Sequence, residues 1–347
     1  MDFRYIGRTG IQVSALSFGT MTFGGLGRFQ HCGTVQAEEA TEQVRACLDA
    51  GVNLFDTADV YSQGLSEEIL GKALGTRRDD VLVATKMHCA MDSGLNDIGQ
   101  SRHHIVRACE ASLRRLGTDH IDLFQMHGYD GRTDVAETLR ALDDLVRSGK
   151  VRYVGCTEFS AWHLMKALAT SDAHHLSRFA TFQGYYSILA RELEYEFVPL
   201  CLDQGLGILA WSPLAGGYLT GKYRPGQPDP PNTRRGAMGD PGTIDEERGQ
   251  RVVAALASVA NEREVSVAQV AINYVKGRDG VSSVVIGARN FEQLGDDLAA
   301  ASWSLTPEES RRLDEASDQP LPYPYWNQHR FNVARMSWPE AAVRFGP

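Results

Sequence analysis

The chain has 347 residues, 43% hydrophobic and 23% charged, an ordinary globular composition with length enough for a large core. A net charge of −9 without a basic run argues against nucleic acid or an anionic membrane as the main partner. No apolar stretch approaches the ~18 residues of a membrane span.

The N-terminus shows no basic head followed by an apolar stretch. The six cysteines (Cys32, Cys47, Cys89, Cys109, Cys156, Cys201) show no paired spacing. The expectation is a cytoplasmic protein with reduced thiols, no disulfide framework and no metal site.

In chain order, Phe3–Ile6 and Ile11–Ser14 flank a glycine-containing turn and predict a hairpin. Strand and helix patterns then alternate. The strand candidates are Ala15–Gly19, Asn53–Asp56, Val81–Lys86, Ile121–His127, Val151–Cys156, Ala180–Gln183, Gly207–Trp211 and Val284–Gly287. Their runs of Val, Ile, Leu and Phe lack strict alternation, as expected of parallel strands buried on both faces. Between them, Ile105, Ala108, Cys109, Ser112, Leu113 and Leu116 recur at helical spacing, with Ser101 as N-cap and Gly117 as C-cap. Val135, Leu139, Leu142 and Val146 repeat the pattern.

A hairpin followed by eight strand–helix units predicts an α/β fold, a (β/α)8 barrel of the TIM type, as a single domain over 1–347. The barrel itself is expected over about 15–318. A tail over 319–347, rich in aromatic residues, should pack on it. Residues 214–244, rich in Gly, Pro and Arg, predict a long functional loop.

Three strand ends carry chemistry. Asp56 ends one strand, with Tyr61 five residues later; Lys86 ends the next; His127 ends the third. In a parallel barrel these ends share one face. Singly, each residue has an ordinary structural reading: an Asp as an ion-pair partner, a Tyr as packing. Together they suit a carbonyl that is protonated while a hydride arrives. A tyrosine is a poor acid near its unperturbed pKa of ~10. An ammonium beside it stabilises the phenolate, and a carboxylate can hold that ammonium in place.

The loose glycine fingerprint at Gly205–Ala210 runs into an apolar strand rather than opening a helix, so it is set aside. The adjacent pairs His103-His104 and His174-His175 point apart on a helix and do not suggest a shared metal.

Longer motifs carry a resemblance. They are Phe18-Gly-Thr-Met21, Asp56-Thr-Ala-Asp-Val-Tyr61 with Leu65–Gly71, Leu113–His127, Gly149–Gly155, Trp211-Ser-Pro-Leu-Ala-Gly-Gly217 with Leu219–Lys222, and Val285–Arg289 with Gln293-Leu294. Over nearly its whole length the chain resembles an aldo-keto reductase. The resemblance implies a barrel that binds NADPH, with NAD as the alternative, and reduces aldehydes or ketones reversibly.

Tyr61 matches the family's acid, Lys86 the lysine that lowers its pKa, Asp56 that lysine's carboxylate and His127 the substrate-orienting histidine. Trp211 matches the ring that stacks on the nicotinamide, and Gln183 with Thr157 and Glu158 the carboxamide contacts. Gly19, Thr20, Met21, Ser212, Pro213, Leu214, Gly216, Lys222 and Gly287 match the wall around the cofactor. Arg234, Arg289, Gln293, Asp296 and Asp297 match the adenosine end.

The chain departs from the pattern at Glu158 and Asp297, where the family usually has asparagine. Each carboxylate, when ionised, accepts hydrogen bonds but cannot donate. Asp296 and Asp297 oppose a 2′-phosphate that the arginines favour. Phe23, His88, Tyr129, Tyr325 and Trp326 are the expected substrate liners, for a small-molecule carbonyl compound, and Cys89 shares the strand end with His88. Two other function classes compete. One is a regulatory subunit that holds the cofactor and turns over slowly. The other is a barrel lyase using Lys86 as a Schiff base.

Overall fold

The computed structural model describes residues 1–91, 93–223, 244–332 and 335. Eight parallel strands close into a barrel: β3 (Leu16–Gly19), β4 (Leu54–Asp56), β5 (Leu82–Met87), β6 (Ile121–Met126), β7 (Val151–Thr157), β8 (Phe179–Tyr185), β9 (Gly207–Trp211) and β10 (Val281–Ile286), with β10 pairing back onto β3. The strands follow one another in sequence order around the barrel, and helices surround them. This is the expected (β/α)8 architecture. Apolar runs place one set of side chains inside the barrel and the alternate set under the helices, so the strands are buried almost throughout.

The hairpin β1 (Phe3–Tyr5) and β2 (Gln12–Ser14) pairs antiparallel, with Phe3 opposite Ser14. Its Ile6 and Val13 join the barrel residues Leu54, Ala84, Leu123, Ala180 and Leu209 in one buried cluster. The hairpin therefore plugs the end of the barrel where the strands begin. Arg4 fastens it, donating to the carbonyls of Lys276 (2.6 Å) and Val281 (3.0 Å). Each large apolar side chain in this plug contributes roughly 1.5–3 kcal/mol by leaving water. With that end sealed, the C-terminal ends of the strands face the open mouth.

The helix Arg102–Leu116 begins at Ser101, whose hydroxyl accepts from the His104 amide, and ends at Gly117 in the left-handed region (φ 65°). Its last turn lies against the helix Leu65–Leu74 at Gly71. A Cβ there would stand 2.2 Å from the Leu116 carbonyl oxygen, so only glycine allows the two helices to approach this closely.

Strand β10 starts at Val281, earlier than the expected Val284. Ser282 and Ser283 hid it, because both read as loop residues. Their hydroxyls instead bond the Tyr5 and Ser14 carbonyls, at 3.0 and 2.8 Å.

The helix Tyr325–Asn332 lies in the tail. Its Tyr325 stacks on Tyr195 with centroids 5.3 Å apart and donates to Glu196 at 2.7 Å. Among the described residues no helix is long and apolar enough to cross a membrane.

Candidate active site

The site is one layer above the apolar plug. Along a strand, every second side chain faces the same way. Two residues beyond Leu54, Ala84 and Leu123 stand Asp56, Lys86 and Gln125, and two beyond Thr181 stands Gln183. The layer changes from apolar to polar at that step, and its members bond to one another. Lys86 Nζ donates to Asp56 Oδ2 at 2.5 Å and to the Thr57 carbonyl at 2.9 Å. Gln125 and Gln183 both donate to Asp56 Oδ1, at 3.3 and 2.9 Å. Lys86 is only 1% exposed. Burial opposes its charge, but Asp56 and Tyr61 outweigh it and hold the ammonium above its ordinary range.

The loop after β4 runs alongside β5, with the Thr57 amide on the Ala84 carbonyl and the Asp59 amide on the Lys86 carbonyl. That path brings Tyr61 over Lys86, whose Nζ is 5.3 Å from the Tyr61 ring centre and hydrogen-bonds the phenol. His127 packs edge-on against Tyr61, centroids 5.7 Å apart. Burial, then the charges of Lys86 and Arg28, lower the His127 pKa well below the usual value, so the ring is neutral. Asp59, in the same motif, is buried and does not border the cavity. Burial and then Glu67 push its carboxyl well above the usual range.

Asp56, Tyr61 and His127 open onto a cavity of about 670 Å³. The cavity extends from them past Trp211 and the 212–217 turn to Arg289, Gln293, Asp296 and Asp297. Trp211 stacks on Tyr185 (4.9 Å), and its indole N–H donates to Glu158 Oε1 at 3.1 Å. Glu158 holds a left-handed backbone (φ 57°), a conformation that favours asparagine over glutamate.

The cavity fits a dinucleotide. Ser212 Oγ is buried on its wall and has no partner among the described residues. Positive φ at Ser212, Ala215, Gly216 and Gly217 coils the turn tightly. A Cβ on Gly287 would stand 3.3 Å from the Gly19 carbonyl, narrowing the floor. At the far end burial and the nearby Arg289 draw the Lys222 pKa below its ordinary value. Asp296 accepts from Ser266 (2.6 Å) and Gln269 (2.7 Å). Burial, then Asp296, pushes the Asp297 carboxyl up to about 7.

The family model for the aldo/keto reductase family matches residues 15–318. The chain belongs to that family. It is similar to the uncharacterized oxidoreductase YrpG of Bacillus subtilis, 38% identical over 91% of this chain and 95% of that protein. A probable voltage-gated potassium channel subunit beta of Oryza sativa is also 38% identical, over 89% of this chain and 94% of its own. The versiconal hemiacetal acetate reductase of Aspergillus parasiticus is 32% identical, over 91% and 96%. As an aldo/keto reductase the chain is an oxidoreductase of the carbonyl-reducing class, in a family that generally uses NAD(P)H.

In this reductase Gly19, Met21, Thr157, Glu158, Gln183, Trp211, Ser212, Pro213, Leu214, Gly216, Lys222, Gly287, Arg289, Gln293, Asp296 and Asp297 all border the cavity. Arg234 lies outside the described residues. Thr20 does not border the cavity: it is buried behind β3, its hydroxyl 2.8 Å from that of Ser66.

The five expected substrate liners lie away from the cavity. Phe23 is fully buried in the core, tilted against Phe18. Tyr129 stacks on His163 and meets Phe159 edge-on. Tyr325 is engaged with Tyr195 and Glu196, and Trp326 packs near Tyr323. His88 lies beside Gly128, its Nδ1 buried without a partner among the described residues. None of the five borders the cavity; Cys89, expected beside His88 at that strand end, does, together with Arg28, Phe29 and Cys32.

Gln125 went unnoticed too. A lone amide inside the buried run 121–126, two residues from Leu123, was the available signal. The Schiff-base alternative fails on position, because Lys86 is charged, bonded to Asp56 and absent from the cavity wall.

Proposed function

We propose that this aldo/keto reductase reduces aldehydes or ketones with NADPH, and that Tyr61 supplies the proton. The observation that carries the reading is the chain of contacts from Asp56 through a buried, charged Lys86 to the Tyr61 phenol at the cavity wall. The Tyr61 hydroxyl protonates the carbonyl oxygen. Lys86 stabilises the phenolate left behind. Asp56 keeps Lys86 charged, and the two glutamines hold Asp56 in register. His127, being neutral, has one N–H with which to orient the carbonyl oxygen without adding charge.

Lys222 and Arg289 would hold the phosphates. Glu158 fixes the plane of Trp211, the face offered to the nicotinamide. The Gln183 amide nitrogen is engaged by Asp56, which leaves its oxygen to accept from the carboxamide. When bound, the nicotinamide supplies the hydride to the carbonyl carbon. NADPH is preferred over NADH because Arg289 offers a bidentate fork. Its opponents are weaker than their formal charges: Asp296 is tied to Ser266 and Gln269, and Asp297 is about half neutral near pH 7.

The test is turnover of a panel of aldehydes and ketones with both cofactors, with the alcohol quantified. Alcohol formed in step with NADPH oxidation supports the reading. The relatives named as channel subunits favour a second reading, a protein that holds the cofactor and turns over slowly. Tight cofactor binding with turnover far below the usual ~1–10³ s⁻¹ for every carbonyl would select it.

A further inference from the structure

The catalytic end of the cavity carries one charge that the mechanism leaves unused. Arg28 borders the cavity, on a 3-10 turn (Gly27–Phe29) just after β3. The turn is held to the catalytic segment: Ser62 Oγ donates to the Phe23 carbonyl at 2.8 Å and accepts from the Gly25 amide at 2.9 Å. Phe29 is buried and meets the Tyr61 ring edge-on, centroids 5.3 Å apart. The Arg28 guanidinium lies over Phe29, 5.2 Å from its centre. Its Nη2 points at Cys89 Sγ, 3.7 Å away.

A guanidinium has five donors in a planar fork. Here, among the described residues, its partners are an aromatic face and a thiol, and no carboxylate lies within ion-pair distance. The acidic groups at this end are committed. Asp56 is held by Lys86, and Glu158 accepts from Trp211 and Thr157. The other cations of the cavity, Lys222 and Arg289, belong to its far end. Arg28 also acts on the reacting centre, since its charge helps keep His127 neutral. Arg28 is exposed at the cavity edge, and a cation without a carboxylate partner among the described residues concentrates anions locally in a chain of net charge −9. The wall beside it (Phe29, Met21, Cys89) is apolar and aromatic.

We propose that Arg28 selects carbonyl substrates with an apolar, ring-sized body and an anionic substituent, which its guanidinium fork binds. The proposal rests on the reductase reading and names the substrate class for it. The contact is charge-assisted but Arg28 is exposed to water, so its effect on affinity is modest, about five- to tenfold.

The test compares 4-formylbenzoate with its methyl ester, which removes the charge and keeps the reacting group. Wild type, Arg28→Gln and Arg28→Lys are assayed for kcat and KM. Binding of both compounds to the NADP⁺ complex, which holds no hydride, is measured by calorimetry. Wild type should prefer the anion. Arg28→Gln should lower the anion-to-ester ratio about five- to tenfold, chiefly through KM, and Arg28→Lys should restore part of it. An anion preference lost in Arg28→Gln by calorimetry upholds the proposal even if neither compound is reduced, an outcome that would count against the reductase reading alone. An equal ratio in wild type and Arg28→Gln, or an ester bound more tightly than the anion by wild type, would overturn it.

Discussion

Asp297 makes a quantitative prediction that needs no cofactor. Its side chain is buried (5% exposed), and burial followed by Asp296 raises its pKa to about 7. In the unfolded chain an aspartate titrates near ~3.9. Between those values the folded protein binds more protons than the unfolded one, so stability must fall as pH rises. The contribution is complete below about pH 4 and gone above about pH 7. From pH 5.5 to 8.5 the protein crosses about 1.5 pH units of that window, worth about 2 kcal/mol at ~1.36 kcal/mol per unit. Asp297→Asn has no such group. In urea unfolding of the cofactor-free proteins, the variant should gain about 2 kcal/mol on wild type between pH 5.5 and pH 8.5. A double difference under about 0.5 kcal/mol would mean that Asp297 ionises normally and that its burial has been compensated.

Lys86→Met should move the acid's apparent pKa upward in the pH–rate profile and slow reduction; an unchanged profile with full activity would contradict the Tyr61–Lys86 pairing. Asp56→Asn should give a smaller defect in the same assay, because it acts through Lys86. Glu158→Asn should raise the NADP⁺-to-NADPH ratio of dissociation constants about two- to fivefold, since an exposed carboxylate beside a cationic ring is only partly screened; an unchanged ratio would show that Glu158 acts only on Trp211. Gly71→Ala should destabilise the barrel by roughly 2–4 kcal/mol in urea unfolding, because its methyl group meets the Leu116 backbone.

The barrel was legible because its signals are local and repeated. Apolar runs ending in Asp56, Lys86 and Gly19 mark strand ends, and Ser101 and Gly117 bound a helix by their own capping chemistry. That Asp56, Tyr61, Lys86 and His127 would meet was legible for the same reason, since residues at successive strand ends share one face. The substrate wall was not. Phe23 and Arg28 lie five residues apart in one glycine-rich loop. Which of them reaches the cavity depends on positive-φ turns at Gly24, Gly25 and Gly27 and on the hydrogen bonds to Ser62. Neither leaves a periodic trace. Tyr129 read as a liner from its position after His127, yet aromatic stacking on His163 draws it away. Gln125 and Asp297 show a further limit: a polar residue in a buried run declares that it has a partner or a shifted pKa without saying which.

Single-turnover reduction by Tyr61→Phe tests most directly whether Tyr61, activated by Lys86, is the proton donor. With NADPH and an aldehyde premixed at saturation, the absorbance change reports the chemical step. The account predicts a loss of ~10²–10⁴-fold in that step, with cofactor affinity nearly unchanged in a parallel titration. A variant that keeps more than about a tenth of the wild-type rate while binding NADPH normally would show that the proton comes from elsewhere.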